Sequence, residues 1–426
     1  MSRFSLNTRL CLAAAERVLF FGLSCLLAGG SSAVSPNAAA KPYSAPAPIA
    51  TSVPATNAPS KPDPEILLID VYKELAANKL RTAQIKVDAL VEAYPNFRLG
   101  HLIRGDLLLM HTQEVKTFGA VKGSEEKLKH LRDEAMVRLK SLRERPNPDL
   151  VPRPILQLRD DQKHVLVVDA KRSRLYVYEN QNGQLRFVTD YYISQGKLGI
   201  NKLKAGDQRT PIGGYYITGR LPGTRLPDFY GAGALPINYP NEWDKLNGRS
   251  GSGIWLHGTP PDSYSRPPLS SDGCVVLTNS DLNKLYSAVE IGKTPVVISD
   301  HVEFVNRTKW NNDRNIATRL VDEWRRDLES MDSKRLMDNY SRQFKSERGE
   351  DLSTWFGKQQ FFTTMKNVSI KLRDVTFFLY PGRDDLIVGT FTEDATIGKN
   401  KSLSIRKRQY WAKEGTQWKI VSESNL

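Results

Sequence analysis

The sequence predicts a multidomain chain: a helical N-terminal module, a mainly β middle domain and an α+β C-terminal domain. Three observations predict it. Apolar residues recur at helical spacing from residue 65 to about 145. At Pro152 the pattern changes to alternation over short runs cut by turn sequences. From about Asn315 two helical runs precede four strand-like ones. A chain of 426 residues is too long for one compact core, and a hydrophobic content of 40% is enough to build several. The expected units are 65–150, 151–300 and 315–426.

Two segments precede these units. Arg3, Arg9 and Arg17 lead into the apolar run Val18 to Ala28, followed by "GGSSA". This is the layout of a secretory signal peptide over 1–33, with Ser31 and Ala33 as the small residues before the cleavage point. The run is short for a bilayer span, and an uncleaved anchor is the alternative. Residues 34–64 are dense in Pro, Ala and Ser and read as a flexible tether. An exported domain on a tether is expected in the periplasm or cell envelope. A net charge of +14 suits polyanionic surroundings: nucleic acid, anionic lipid or wall polymer. No zinc-finger spacing, basic region with heptads or RNA-binding signature accompanies it, which excludes nucleic acid as the expected partner.

The helical module is read from its faces. Leu67, Leu68, Val71, Tyr72 and Leu75 share one; Ala83, Val87, Leu90, Val91 and Tyr94 share another, closed by Pro95. Leu99, Leu102, Ile103, Asp106 and Leu109 suggest a third helix. In the middle domain, Val165 and Val167 with Leu175 and Val177 are expected on one face of a hairpin. Further strands are expected at 214–219, 253–256 and 295–299. The C-terminal unit, helices then a curled antiparallel sheet, resembles the cone-shaped fold of nuclear transport factor and its relatives. No convergent carboxylates or histidines are visible in it, so a binding or scaffolding role is expected there.

Three cysteines are present, and Cys11 and Cys25 fall in the signal region. Cys274 is therefore the one thiol of the processed chain, which excludes an internal disulfide. Metal and cofactor are not expected. A sulfur nucleophile needs a base, amide donors for the oxyanion and a group that orients the base. Of six histidines, only His257 follows a buried-looking strand ("GIWL") and precedes the loop leading to Cys274. Gly273 lets the backbone turn tightly, so that successive N–H groups can point at one carbonyl oxygen. The bland alternative is a satisfied core histidine beside a packing cysteine.

"HG" followed by "S-x-G-C" resembles the signature of the L,D-transpeptidases, cysteine enzymes that remodel peptidoglycan. "AGDQRTPIGGYYITG" (205–219) resembles a second motif of that family, with Thr210, Pro211 and Gly213 in a turn beneath the site. "LPDFYGAGALPINYPNEWDKLNGRSGSGIWLHG" is similar to the branch that carries a C-terminal cone-shaped domain and acts in cell-shape control. The resemblance covers about 150–426. It implies Cys274 as nucleophile, His257 as base, the Gly258 carbonyl as the group orienting the imidazole, and the N–H groups of Gly273 and Cys274 as oxyanion donors, with Asp272 as a further contributor. Ser271 matches the serine that steadies the loop.

Two departures stand out: Asp272 where many members have histidine, and Val276 where many have the arginine that helps place substrate. Arg266 and Arg225 are the candidates for that vacant role. The Asp272 side chain is expected to turn away from the thiol or to bind a cationic part of the substrate.

The implied chemistry is acyl transfer from a peptidoglycan stem tetrapeptide to an amine, releasing D-alanine. Alternatives are L,D-carboxypeptidation to a tripeptide and a non-catalytic wall-binding scaffold. Wall-associated proteins are the further partners expected for the flanking domains.

Overall fold

The computed structural model describes residues 62–115, 117–119, 125–358, 368–397 and 401–426. The expected signal peptide, its two cysteines and most of the tether lie outside the described residues. The last tether positions are already structured. Asp63 caps the first helix by accepting the Glu65 N–H at 2.9 Å, with Pro64 in the first turn.

Helices α1 (Pro64–Ala76), α2 (Leu80–Ala93), α3 (Arg98–Met110) and α4 (Glu125–Arg143) form the helical module. Leu68, Val71, Tyr72, Ala83, Val87, Leu90, Leu99 and Ile103 bury its core, as their spacing predicts. Asp106, grouped by spacing with the apolar face of α3, is also buried, where its carboxylate accepts the Gly119 N–H.

The middle of the chain carries β1 (Val151–Pro152), β2 (Ile155–Gln157), β3 (His164–Asp169), β4 (Arg174–Gln181), β5 (Gln184–Tyr192), β6 (Gln195–Gly196), β7 (Gly213–Tyr216), β8 (Leu221–Pro222) and β9 (Gly233–Pro236). There follow α5 (Glu242–Leu246), β10 (Trp255–His257), β11 (Leu269–Ser271), β12 (Val275–Val276), α6 (Asn279–Ala288), β13 (Pro295–Ser299) and β14 (Phe304–Val305). A central sheet of order β5-β4-β3-β13-β7 packs against a smaller sheet, β12-β10-β9-β8, that carries the site.

The expected pairing of faces in the first hairpin is corrected. Val165 stands opposite Tyr178 and Val167 opposite Tyr176, whereas Leu175 and Val177 share a face with Val168 and Leu166. Opposed residues of an antiparallel pair point to the same side. Both faces of this sheet are buried, so alternating hydrophobicity could not mark which residues travel together.

The C-terminal unit has α7 (Arg307–Glu329), α8 (Ser333–Met337), β15 (Tyr340–Ser346), α9 (Leu352–Lys358), β16 (Val368–Leu379), β17 (Leu386–Ile397), β18 (Lys401–Glu414) and β19 (Gln417–Asn425). Helix α7 starts at Arg307 rather than near Asn315, because Asn306 accepts the Lys309 N–H and caps it there. The sheet order is β15-β19-β18-β17-β16-β2. It is not wholly antiparallel: β15 runs parallel to β19.

Strand β2, from the start of the middle domain, extends this sheet by pairing with β16. Val151, Ile155, Val165, Tyr176 and Val297 share one core with Trp310, Trp324, Phe377 and Trp411. Trp310 Nε1 donates to the Ile155 carbonyl at 2.5 Å. The Trp243 ring of α5 stacks on Tyr410 at 4.4 Å.

Carboxylates do converge in the C-terminal unit, against the sequence expectation. Glu393 and Glu423 meet the buried ammonium of Lys407 at 2.9 and 3.4 Å, and Tyr340 and Gln409 donate to Glu423. They lie on β17 and β19, on either side of β18, so linear sequence hid the cluster.

Candidate active site

His257 ends β10 and Cys274 immediately precedes β12. The two strands run parallel, with Leu256 beside Val275 and His257 beside Val276, which brings Cys274 alongside Trp255. The imidazole is 1% exposed. Its Nδ1 lies 2.7 Å from the Gly258 carbonyl. A carbonyl only accepts, so Nδ1 carries the proton and Nε2 keeps its lone pair. Burial pushes the imidazole down to about 4, the nearby charge of Arg266 pushes the same way, and the Gly258 carbonyl opposes both. The histidine is neutral at neutral pH.

Burial pushes the Cys274 thiol up. A hydrogen bond from the Trp255 N–H and the charges of Lys202 and Arg266 oppose the rise, while the Asp272 carboxylate adds to it. The thiol also donates to the Gly253 carbonyl at 3.4 Å. The resting pair is thus thiol and imidazole rather than thiolate and imidazolium.

The nucleophile loop depends on its glycine. Gly273 sits at φ +128°, and a Cβ there would meet the Arg209 carbonyl oxygen at 2.8 Å. Ser271, buried, donates to the Cys274 carbonyl at 2.6 Å and accepts the Gly273 N–H at 3.2 Å. Of the two expected oxyanion donors, Gly273 is therefore engaged by Ser271. The Cys274 N–H meets no acceptor among the described residues. Thr210 supports the floor by accepting the Gly196 N–H at 3.0 Å.

The Asp272 side chain is held by groups other than the thiol, although its charge still reaches Cys274. Its carboxylate takes Lys197 Nζ at 2.9 Å and Gln208 Nε2 at 3.1 Å, and the Lys197 hydrogen bond holds it below the usual range. Arg266 comes to the site. Its guanidinium lies 4.4 Å over the Phe229 ring, its Nη1 is buried without a hydrogen-bond partner, and its charge acts on both His257 and Cys274. Arg225 is exposed on the turn after β8 and meets no hydrogen-bond or ion-pair partner among the described residues.

Three residues of the site were not singled out from the sequence. Phe229 and Tyr230 pack on the imidazole, with ring centroids 5.6 and 5.0 Å away. Lys202 is buried and paired with Asp207 at 2.7 Å. Phe229 and Tyr230 stand in a motif string noted for its resemblance and Lys202 in none, and nothing in their spacing assigned any of them to the thiol. Among the described residues no cluster of His, Cys, Asp or Glu could hold a metal ion, and no helix is long and apolar enough to cross a membrane.

Residues 163–298 match the YkuD model of the L,D-transpeptidase catalytic domain, and 316–424 match the Cds6 C-terminal NTF2-like domain. Bd1075 of Bdellovibrio bacteriovorus is 30% identical, with 65% of this chain and 98% of that one covered at a TM-score of 0.57. The chain belongs to the L,D-transpeptidase catalytic-domain family, in the branch with the NTF2-like extension. Pgp2 of Campylobacter jejuni, a helical cell shape determining protein, shares the fold at 23% identity, with 69% and 100% covered and a TM-score of 0.55. No curated protein matches the sequence significantly. The family makes this a cysteine enzyme of peptidoglycan peptides.

Proposed function

We propose that the chain is an L,D-transpeptidase that acylates Cys274 with the peptidoglycan stem tetrapeptide and passes the acyl group to an amine. The observation that carries this reading is a neutral, Nδ1-protonated His257 at the end of β10 and a protonated Cys274 just before the parallel β12, both within the field of Arg266. His257 Nε2 takes the thiol proton as Sγ bonds to the carbonyl carbon of the third stem residue. The oxyanion forms against the Cys274 N–H. The imidazolium gives its proton to the departing D-alanine nitrogen, leaving a thioester. An acceptor amine then attacks, His257 removes its proton, and the thiol is regenerated as the new amide forms. Gly258 holds the imidazole in the reactive tautomer. Arg266 takes a substrate carboxylate, a role that its buried, unpartnered Nη1 supports.

A second reading, L,D-carboxypeptidase, differs only in water replacing the amine. The NTF2-like domain favours it, since the branch that this chain resembles by that domain includes members that trim tetrapeptides to tripeptides. In either reading the chain acts in the cell envelope after export. N-terminal sequencing of the envelope protein should then begin near Val34, and an intact Met1 on a cytosolic protein would overturn export.

Incubation with purified disaccharide tetrapeptide decides between them. Crosslinked dimer, or exchange of an added D-amino acid, supports transfer; tripeptide alone supports hydrolysis. Cys274→Ala and His257→Ala should each lower kcat/KM about a thousandfold or more, with the double variant scarcely worse than either. Absence of turnover by the native protein, with no labelling of Cys274 by a carbapenem, would leave the scaffold reading in place.

A further inference from the structure

The loop from Gly258 to Gly273 connects base to nucleophile, yet much of its anchorage lies outside the catalytic domain. Tyr264 is 9% exposed and buried in the core of the helical module, 4.6 Å from Phe97 and 5.4 Å from Tyr94 between ring centroids. Asn96, between α2 and α3, donates to the Pro261 carbonyl at 3.3 Å. Ser265 donates to Glu134 of α4 at 2.7 Å. One turn along α4, Arg138 pairs with Glu134 and lies 3.7 Å over the Tyr192 ring, whose hydroxyl donates to the Arg266 carbonyl at 2.8 Å. Three consecutive residues, 264 to 266, are thus held by the helical module directly or through one intermediary.

We infer that the helical module is a latch for the active-site loop, with Tyr264 and Glu134 as positioning residues that fix Arg266 over the Phe229 ring. From there its charge reaches His257 and Cys274. The inference rests on the reading of Arg266 as the substrate's cationic partner. Within the catalytic domain the loop is held near its two ends, by Asn279 on Thr259, whose hydroxyl reaches the Ser263 and Tyr264 carbonyls, and by β11 on the two-residue β6; no regular element spans 260–268. Left to itself, such a loop would spread the guanidinium over many positions, and ordering it would be charged to each binding event. Burying an aromatic anchor between two helices places that cost in folding instead. The guanidinium is not consumed by the latch, since its neighbours' main chain and side chains carry the contacts while Nη1 stays unpartnered.

Two measurements on the full chain test this. The first is hydrogen exchange over 258–268, which needs no turnover. Tyr264→Ala should speed it about tenfold or more while the amides of β3 and β13 keep their protection. The second is steady-state kinetics on disaccharide tetrapeptide. Tyr264→Ala should raise KM about tenfold with kcat within about twofold, and Ser265→Ala should raise KM about threefold.

Tyr264→Phe should restore both readouts. In an Arg266→Ala background the effect of Tyr264→Ala should vanish, because the residue it positions is gone. Unchanged exchange, or an undiminished effect without Arg266, overturns the latch. Should Tyr264→Ala not fold, Ser265→Ala removes one hydroxyl and carries both readouts. Faster exchange in a protein that turns over no muropeptide would count against the proposed function and leave the physical latch standing.

Discussion

The catalytic domain is gripped from two sides by different chemistry. On its C-terminal side the seam is a shared hydrophobic core, with β2 pairing to β16 and Trp310 bonded to the Ile155 carbonyl. On its N-terminal side the seam is mostly charge. Glu65 faces Arg174, Arg145 pairs with Asp190, Asp63 pairs with Lys284, and Arg138 lies over the Tyr192 ring. Tyr264 is the apolar exception. Apolar burial stabilises in proportion to area, whereas a buried ion pair repays its desolvation only in good geometry. The C-terminal seam is therefore part of the fold, and the N-terminal seam chiefly fixes where things sit.

Truncation after Asp300 should break the C-terminal side most severely. It removes α7 and the sheet that cover Val165, Val167, Tyr176 and Tyr178, so cooperative unfolding by circular dichroism should be lost. Within the full chain, Trp310→Ala should destabilise by about 3–5 kcal/mol, the range for truncating a large buried aromatic. A truncated protein that melts cooperatively at the native temperature would show that the shared core is two separable cores.

A chain beginning at Pro146 should behave differently. It should still melt cooperatively, because no strand of the central sheet is lost. Its kcat/KM should fall about ten- to a hundredfold as the loop is released. Smaller again, Asp63→Ala removes both the α1 cap and a partner of Lys284, whose side chain is 44% exposed, and should cost about 1 kcal/mol, mostly through the lost cap.

The two seams also differ in how far the sequence announces them. Cys274 and His257 were readable as a candidate pair because a thiol and an imidazole lie one loop apart and the glycine before the thiol is a local backbone requirement. The helical faces were readable because their period is local too. The C-terminal seam was not. β2 meets β16 across more than two hundred positions, and its residues carry no mark of that partner. The same holds for Glu393, Glu423 and Lys407, which meet across three strands. Tyr264 looked like one more loop aromatic, since only the packed helices reveal its socket. Alternation misled in the first hairpin because a sheet covered on both faces has no solvent side to contrast with its core.

The smallest effect tests whether the N-terminal seam reaches the chemistry itself. His257 must be neutral to accept the thiol proton, and burial moves its pKa from 6.5 to about 4. The acid limb of kcat/KM should therefore lie near pH 4, with activity present above it and lost below. Arg266 disfavours the imidazolium further, so Arg266→Ala should move the limb upward, toward the ordinary histidine value. Tyr264→Ala, which frees the guanidinium without removing it, should move the limb in the same direction by less. Trp310→Phe, on the apolar seam, places no charge near the imidazole and should leave the limb where it is. A native limb near 6.5 would mean that His257 titrates as an exposed histidine, and the assignment of a buried neutral base would fail. A limb near 4 that ignores Arg266 would keep the base and remove the electrostatic link between the loop and the histidine.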